Sequence, residues 1–251
     1  MNCKQWIERF KGNRIEEPID WQAPCQLPDE VRVPLARSLA IFQLGETGEG
    51  SALLKFARSR RDDPGLTGYE EALRLFVDEE NRHAEMLKSM VMRVDGTLLE
   101  KQWSDGVFRK VRKLVNLEFE LQTLLTAELI AEGYYELLRR KVDDQPIRRA
   151  CARIVKDEVG HTGFHAEFFG YRKREWSGPV CWLWKVGLSI LTETAWRVVW
   201  LDHRSCFRAL GIQRTEFAGL VRKVRRTWFR RAGFWSGRSI LGSGEQQSGT
   251  T

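Results

Sequence analysis

A chain of 251 residues with 41 Lys and Arg against 34 Asp and Glu carries a formal charge of +7, and 42% of its residues are hydrophobic, with ten Trp in the chain. That is enough chain for one large or two small domains with a sizeable core, and the composition is that of an ordinary globular protein rather than a disordered one. Five cysteines (Cys3, Cys25, Cys151, Cys181 and Cys206) form no Cys-x-x-Cys pair and no framework spacing, which argues against a disulfide scaffold and for reduced thiols in a cytoplasmic setting.

The opening "MNCKQWIERFKGNR" lacks an apolar stretch, so no secretory signal is expected. Residues 1–33 read as an irregular, proline-bearing lead-in packed through Trp6 and Trp21. From Pro34 onward Leu35, Leu39, Phe42, Glu49, Leu53 and Phe56 keep helical spacing until "RRDDPG". A second helix is expected over about Thr67–Val94, and a third over about Ser104–Val142, its first turns broken near Gly106. A fourth should run from Pro146 to about Arg172. "PVCWLWKVGLSILTETAWRVVWL", residues 179–201, is the most hydrophobic stretch. Lys185, Glu193 and Arg197 interrupt it, so it reads as a buried helix and not a membrane span. Another helix is expected over Thr215–Arg231, and the tail 239–251 reads as disordered. Strand signals are scarce, so the fold class is all-α: residues 34–175 form the main body, and 176–238 add C-terminal helices.

Two parts of the chain echo each other. "GEGSALL" (Gly48–Leu54) matches "AEGYYELL" (Ala131–Leu138), and each precedes a helix bearing Glu-x-x-His: Glu80 with His83, then Glu158 with His161. The i, i+3 spacing puts Glu and His on one helix face. Glu49 and Glu80 both lie roughly 18–20 Å from their connecting turn, and Glu132 and Glu158 roughly 15–18 Å from theirs, at ~1.5 Å per residue. In each antiparallel hairpin the lone Glu should therefore meet the Glu-x-x-His at one level. Four carboxylates and two imidazoles left unpaired in a helical interior would cost several kcal/mol each. Two divalent ions would remove that cost, since four carboxylates balance two M²⁺ and neutral imidazoles complete the shells.

This set of residues resembles the ferritin-like di-iron carboxylate superfamily, in which two helices give one Glu each and two others give Glu-x-x-His. The resemblance covers about residues 34–170. It implies a four-helix bundle with Glu49, Glu80 and His83 on one metal, and Glu132, Glu158 and His161 on the other, Glu80 and Glu158 bridging. Two Fe ions are implied as cofactor, with Fe/Mn or Mn/Mn equally allowed. Within the superfamily, Leu87 stands where ribonucleotide reductase small subunits carry the radical Tyr. Ile154 stands where aminobenzoate N-oxygenases add a His, and no rubredoxin-like cysteine pairs are present.

Other side chains compete for roles. Glu46 lies one turn before Glu49, and the echo favours Glu49. Glu128, one turn before Glu132, reads as a salt-bridged carboxylate or an extra ligand. His165, one turn after His161, reads as a satisfied core histidine or as an added ligand or proton donor. His203 reads as a helix-end residue without chemistry, and Tyr134 and Tyr135 as packing. The expected activity is an oxidoreductase using O₂ to oxidise an organic substrate by hydroxylation, N-oxygenation or oxidative C–C cleavage. The substrate would be small and apolar or carrier-bound, and electrons would come from an external donor such as a ferredoxin. Two alternatives remain open: an iron-binding or peroxide-reducing protein without an organic substrate, and a basic RNA- or membrane-binding protein working through "RKVRRTWFRR", Arg222–Arg231.

Overall fold

The structure is a computed structural model that describes residues 1–14, 17–46, 51–102 and 117–234. Eight α-helices and no strand are found among the described residues. They are α1 (Cys3–Gly12), α2 (Asp29–Glu46), α3 (Ser51–Ser59), α4 (Tyr69–Arg93), α5 (Leu117–Lys141), α6 (Gln145–Arg172), α7 (Gly178–Ala209) and α8 (Arg214–Arg231). The all-α expectation therefore holds. Residues 103–116, which include the expected start of the third helix, lie outside the described residues, as does the 239–251 tail.

Local chemistry sets several of the helix ends. Gly68 has φ +83°, a backbone conformation costly for any residue with a Cβ, and α4 starts directly after it. Asp144 caps α6, accepting from the Ile147 N–H at 3.1 Å, and Pro146 occupies the first turn, where its missing donor costs nothing. Asp63 accepts from the Gly65 N–H at 2.9 Å and from the Tyr171 hydroxyl at 2.6 Å, tying the turn before α4 to the end of α6.

Helix α2 packs on α4, α5 on α6, and α4 on α6; α7 lies across α2 and α5, and α8 across α5 and α6. The core falls into two apolar halves. One contains Leu35, Leu39, Leu87, Met90, Tyr134, Leu138, Ile147, Ile154 and Phe207. The other contains Phe10, Phe56, Tyr69, Leu73, Phe76, Leu125, Phe164 and Phe168. Along α4 the stretch 79–83 separates the two halves, and along α6 the stretch 157–161 does the same. A polar layer therefore sits across the middle of the molecule.

Three expectations need correction. Residues 1–33 are not irregular throughout: α1 is capped by Asn2, which accepts from the Gln5 N–H, and α1 packs against α4. Its Phe10 is 1% exposed because it fills a place beside Phe164, ring centroids 5.6 Å apart. Helix α2 begins at Asp29, with Asp29 and Glu30 as the acids of its first turn, so Pro34 lies inside the helix and not at its start. Finally, the 179–201 stretch is not buried. Only one side of α7 packs inward, through Leu188, Thr192, Trp196, His203 and Phe207, while Trp182, Leu183 and Ile190 are each more than 60% exposed. None of the described helices is long and apolar enough to cross a membrane.

The basic run of α8 is partly spent on structure. Its apolar face (Phe217, Val221, Val224, Trp228) is buried. Arg222 forks onto the Glu193 carboxylate with two bonds of 2.8 Å, and Arg225 donates to the Ser189 carbonyl of α7 at 3.1 Å. With Arg222 as the largest cause, the Glu193 carboxyl is held down at about 2. The five cysteines form no disulfide.

Candidate metal centre

Helix α4 brings Glu80 and His83, and α6 brings Glu158 and His161, to the polar layer. One ligand-type atom from each lies within 4.8 Å of all the others. The His161 Nδ1 is 2.8 Å from Glu80 Oε1 and 3.7 Å from Glu158 Oε2. The His83 Nδ1 is 3.8 Å from Glu80 Oε1 and 3.6 Å from Glu158 Oε1. Both imidazoles and Glu158 are buried, and Glu80 keeps only 15% of its side chain exposed.

The far nitrogen of each imidazole is held by an acid outside the expected ligand set. His161 Nε2 lies 2.9 Å from Glu79 Oε2, and His83 Nε2 lies 3.2 Å from Asp157 Oδ2. Each histidine thus leans on the residue preceding the glutamate of the opposite motif. The signal in the sequence is an acid before each Glu-x-x-His: Glu79 before Glu80, Asp157 before Glu158. With Nε2 turned to these acids, each Nδ1 faces the carboxylate oxygens of the layer. This is the carboxylate–histidine arrangement that fixes the tautomer of a metal-ligating imidazole.

Two further carboxylates, from α5 and α2, stand in the layer among the described residues. Glu128 on α5 is 3% exposed, and its Oε2 lies 3.3 Å from His161 Nδ1; it also hydrogen-bonds Glu158. On α2, Glu46 shares a hydrogen bond with Glu80 and accepts from the Tyr135 hydroxyl at 3.1 Å. So Glu46 of α2 and Glu128 of α5 each meet a motif glutamate, and Glu128 stands one turn before the Glu132 that the echo favours. Glu132 leaves the layer. Its Oε2 accepts from Thr162 Oγ1 at 3.4 Å, and it lines a cleft between α5, α6 and α8. Four residues advance a helix by about 6 Å and rotate it by about 40°, enough to swing the carboxyl off the site. The helix ends account for this: Glu128 is 13 residues from the end of α5 (141 − 128) and Glu158 is 13 from the start of α6 (158 − 145). Glu49 lies outside the described residues.

Other candidates resolve as follows. His165 is fully buried with neither ring nitrogen partnered, set against Phe76 at 5.5 Å and Phe164 at 5.8 Å. Burial pushes it down to about 4, so it is neutral. His203 is no outward helix-end residue. It is buried, its Nδ1 lies 2.7 Å from Ser38 Oγ, and Ser38 in turn meets the Tyr134 hydroxyl at 2.6 Å. Tyr134 thus joins a buried polar trio, while Tyr135 touches the acid layer itself.

Electrostatics test whether these residues suit a metal. Burial, then the neighbouring Glu80 and Glu128, drive the Glu46 carboxyl well above its usual range. Burial and Glu128 do the same to Glu158. Burial opposes charge on His161, but Glu80 and the other surrounding carboxylates outweigh it and raise that imidazole well above its usual value. Without a cation, then, burial and the crowding of acids favour protons on Glu46, Glu158 and His161. Glu80 Oε1, Glu128 Oε2, Glu158 Oε2, His83 Nδ1 and His161 Nδ1 are nevertheless buried side by side without a well-aligned hydrogen bond, and they converge. Such atoms without good partners are costly to bury, and a divalent ion would accept them. The donor set of carboxylates and imidazoles fits a divalent metal and is the wrong set for calcium-only or thiolate chemistry. Because metal would replace protons, binding is expected to acidify a weakly buffered solution and to weaken as pH falls towards about 5; the release on adding Mn²⁺ is read with a pH indicator. Compared with known proteins, the chain matches no family model, no curated protein and no solved structure.

Proposed function

We propose that the polar layer is a dinuclear metal site of the ferritin-like carboxylate kind, set in a four-helix bundle of α2 with α3, α4, α5 and α6, and that the protein is an O₂-dependent oxidoreductase acting on an organic substrate. The observation carrying this is the convergence of two Nδ1 atoms and the glutamate oxygens, buried without well-aligned hydrogen bonds, with both Nε2 atoms anchored on acids. Glu46, Glu80, Glu128 and Glu158 with His83 and His161 would hold two divalent ions, Fe with Fe or Mn in either place. When bound, two ferrous ions supply reducing electrons to O₂ and the oxidising power to hydroxylate, N-oxygenate or cleave a substrate.

The protein's own groups have definable tasks. Glu79 and Asp157 fix the imidazole tautomer and orientation. The Tyr135 hydroxyl holds the Glu46 carboxyl, and its own ionisation is pushed well up by burial, so it stays a neutral donor. Phe10, Phe76 and Phe164 exclude water from one side of the layer. Electrons would come from an external donor of ferredoxin type, for which a basic surface is a suitable partner.

The discriminating experiment loads the protein anaerobically with Fe(II), measures iron per chain, and then admits O₂. Two irons per chain and an O₂-dependent optical change are expected; a metal-free protein or an inert ferrous one would refute the proposal. The Glu128→Ala variant should lose at least one iron per chain, whereas Glu132→Ala should keep both. The reverse result would restore Glu132 as the ligand.

A further inference from the structure

We infer that the cleft between α5, α6 and α8 is a binding site for a small organic anion carrying a carboxylate or phosphate group. The cleft has a volume of about 280 Å³, near the lower end of small-molecule pockets. Val155, Leu220, Val224 and Trp228 give it an apolar side, while Arg140, Lys223 and Arg231 give it cations.

Hydrogen-bond accounting decides the sign of the ligand. Of the acids, Glu136 is taken by Arg139 and Arg140, so Arg140 is largely neutralised. Lys223 and Arg231, by contrast, make no ion pair or hydrogen bond among the described residues. The surplus in this cleft is therefore of cations, Lys223 and Arg231 at its rim. A ligand bearing an anionic group pairs with both, and a cationic ligand with neither. Arg fits an oxyanion with a two-pronged contact, and Lys adds a point charge.

The remaining wall residue tunes this preference. Glu132 accepts from Thr162, and burial raises its carboxyl to about 7 despite the nearby Arg231. Below neutrality it is uncharged and does not repel an anion; above neutrality it does. The site does not depend on the metal proposal, although Thr162 directly follows His161 in the chain and Glu132 lies one turn from Glu128.

The test uses the full chain, once treated with chelator and once loaded with Mn²⁺, titrated with two probes: inorganic phosphate and benzoate. Calorimetry or NMR line shifts should report saturable binding of at least one probe. Tighter benzoate binding assigns a carboxylate on an apolar body, and tighter phosphate binding assigns a phosphoryl group. The Lys223→Ala/Arg231→Ala pair, both exposed, should weaken binding at least tenfold without altering thermal unfolding. Glu132→Gln should tighten binding at pH 8 and leave it unchanged at pH 6. Absence of binding by both probes at tens of millimolar, or equal binding by the double variant, overturns the inference. Because the readout is anion binding in chelator-treated as well as loaded protein, its failure is distinct from a failure to bind iron.

Discussion

Alanine in place of Glu158 is expected to abolish iron or manganese binding at the polar layer, measured as metal per chain after gel filtration. Glu158 is 1% exposed and stands against both imidazoles, so its carboxylate faces the centre of the cluster. Its loss would leave His83 and His161 without an acid that both of them face. The wild-type chain should gain about 4 kcal/mol of stability at metal concentrations a thousandfold above the dissociation constant, by mass action. The Glu158→Ala chain should show no such gain and unfold at one temperature with or without metal. Glu158→Gln separates the two contributions, because it keeps volume and hydrogen bonding but removes the ligand charge; it too should fail to be stabilised. Asp157→Ala, which leaves all six ligands in place, should instead weaken metal affinity by about 10–100-fold, the usual cost of losing a partner that orients a ligating imidazole.

Asp144→Ala is expected to be the most destabilising substitution away from the metal layer. Arg93 and Asp144 are each 3% exposed at the side chain and form a two-pronged ion pair of 2.8 and 2.7 Å. Arg93 also donates to the carbonyls of Trp21 at 3.1 Å, Ala23 at 2.6 Å and Pro24 at 3.3 Å. One guanidinium therefore joins the end of α4, the start of α6 and the segment before α2. Removing the acid leaves a buried, uncompensated charge, which costs about 3–5 kcal/mol. It also removes the α6 cap, worth about 1 kcal/mol. Asp144→Asn retains the cap and should cost less by roughly that 1 kcal/mol. Denaturant unfolding of the three chains measures both differences; a change below about 1 kcal/mol in the alanine variant would mean that the pair contributes little.

Much of the layout is legible in the order of residues alone. The 3.6-residue period places α4, α6 and α8 within a few residues, since long amphipathic helices with capping acids and first-turn prolines announce themselves. Two Glu-x-x-His motifs on such helices identify four residues that the structure gathers within 4.8 Å. The lone acids are harder. Glu128 and Glu132 share a stripe, and the Glu-Gly echo picks Glu132, one turn away from the layer. Short repeats align on identical letters, whereas coordination depends on height along the helix, and height needs the helix ends. Glu79 and Asp157 escape a motif-based reading because an acid next to Glu-x-x-His lies off the ligand face of its own helix. Only the neighbouring helix shows what it touches.

By itself, the sequence determined that the chain is helical, where most of its long helices run, and which Glu-x-x-His residues must be shielded together, because these follow from local periodicity and the cost of burying charge. Tertiary structure decided which glutamate of α5 faces the motifs, which acid holds which imidazole, that α7 leaves a face exposed, and that His203 meets Ser38 in the interior. Those outcomes depend on the rotation and vertical offset of one helix against another. Such quantities are set by side-chain interlocking over the whole core, and no window of neighbouring residues contains them.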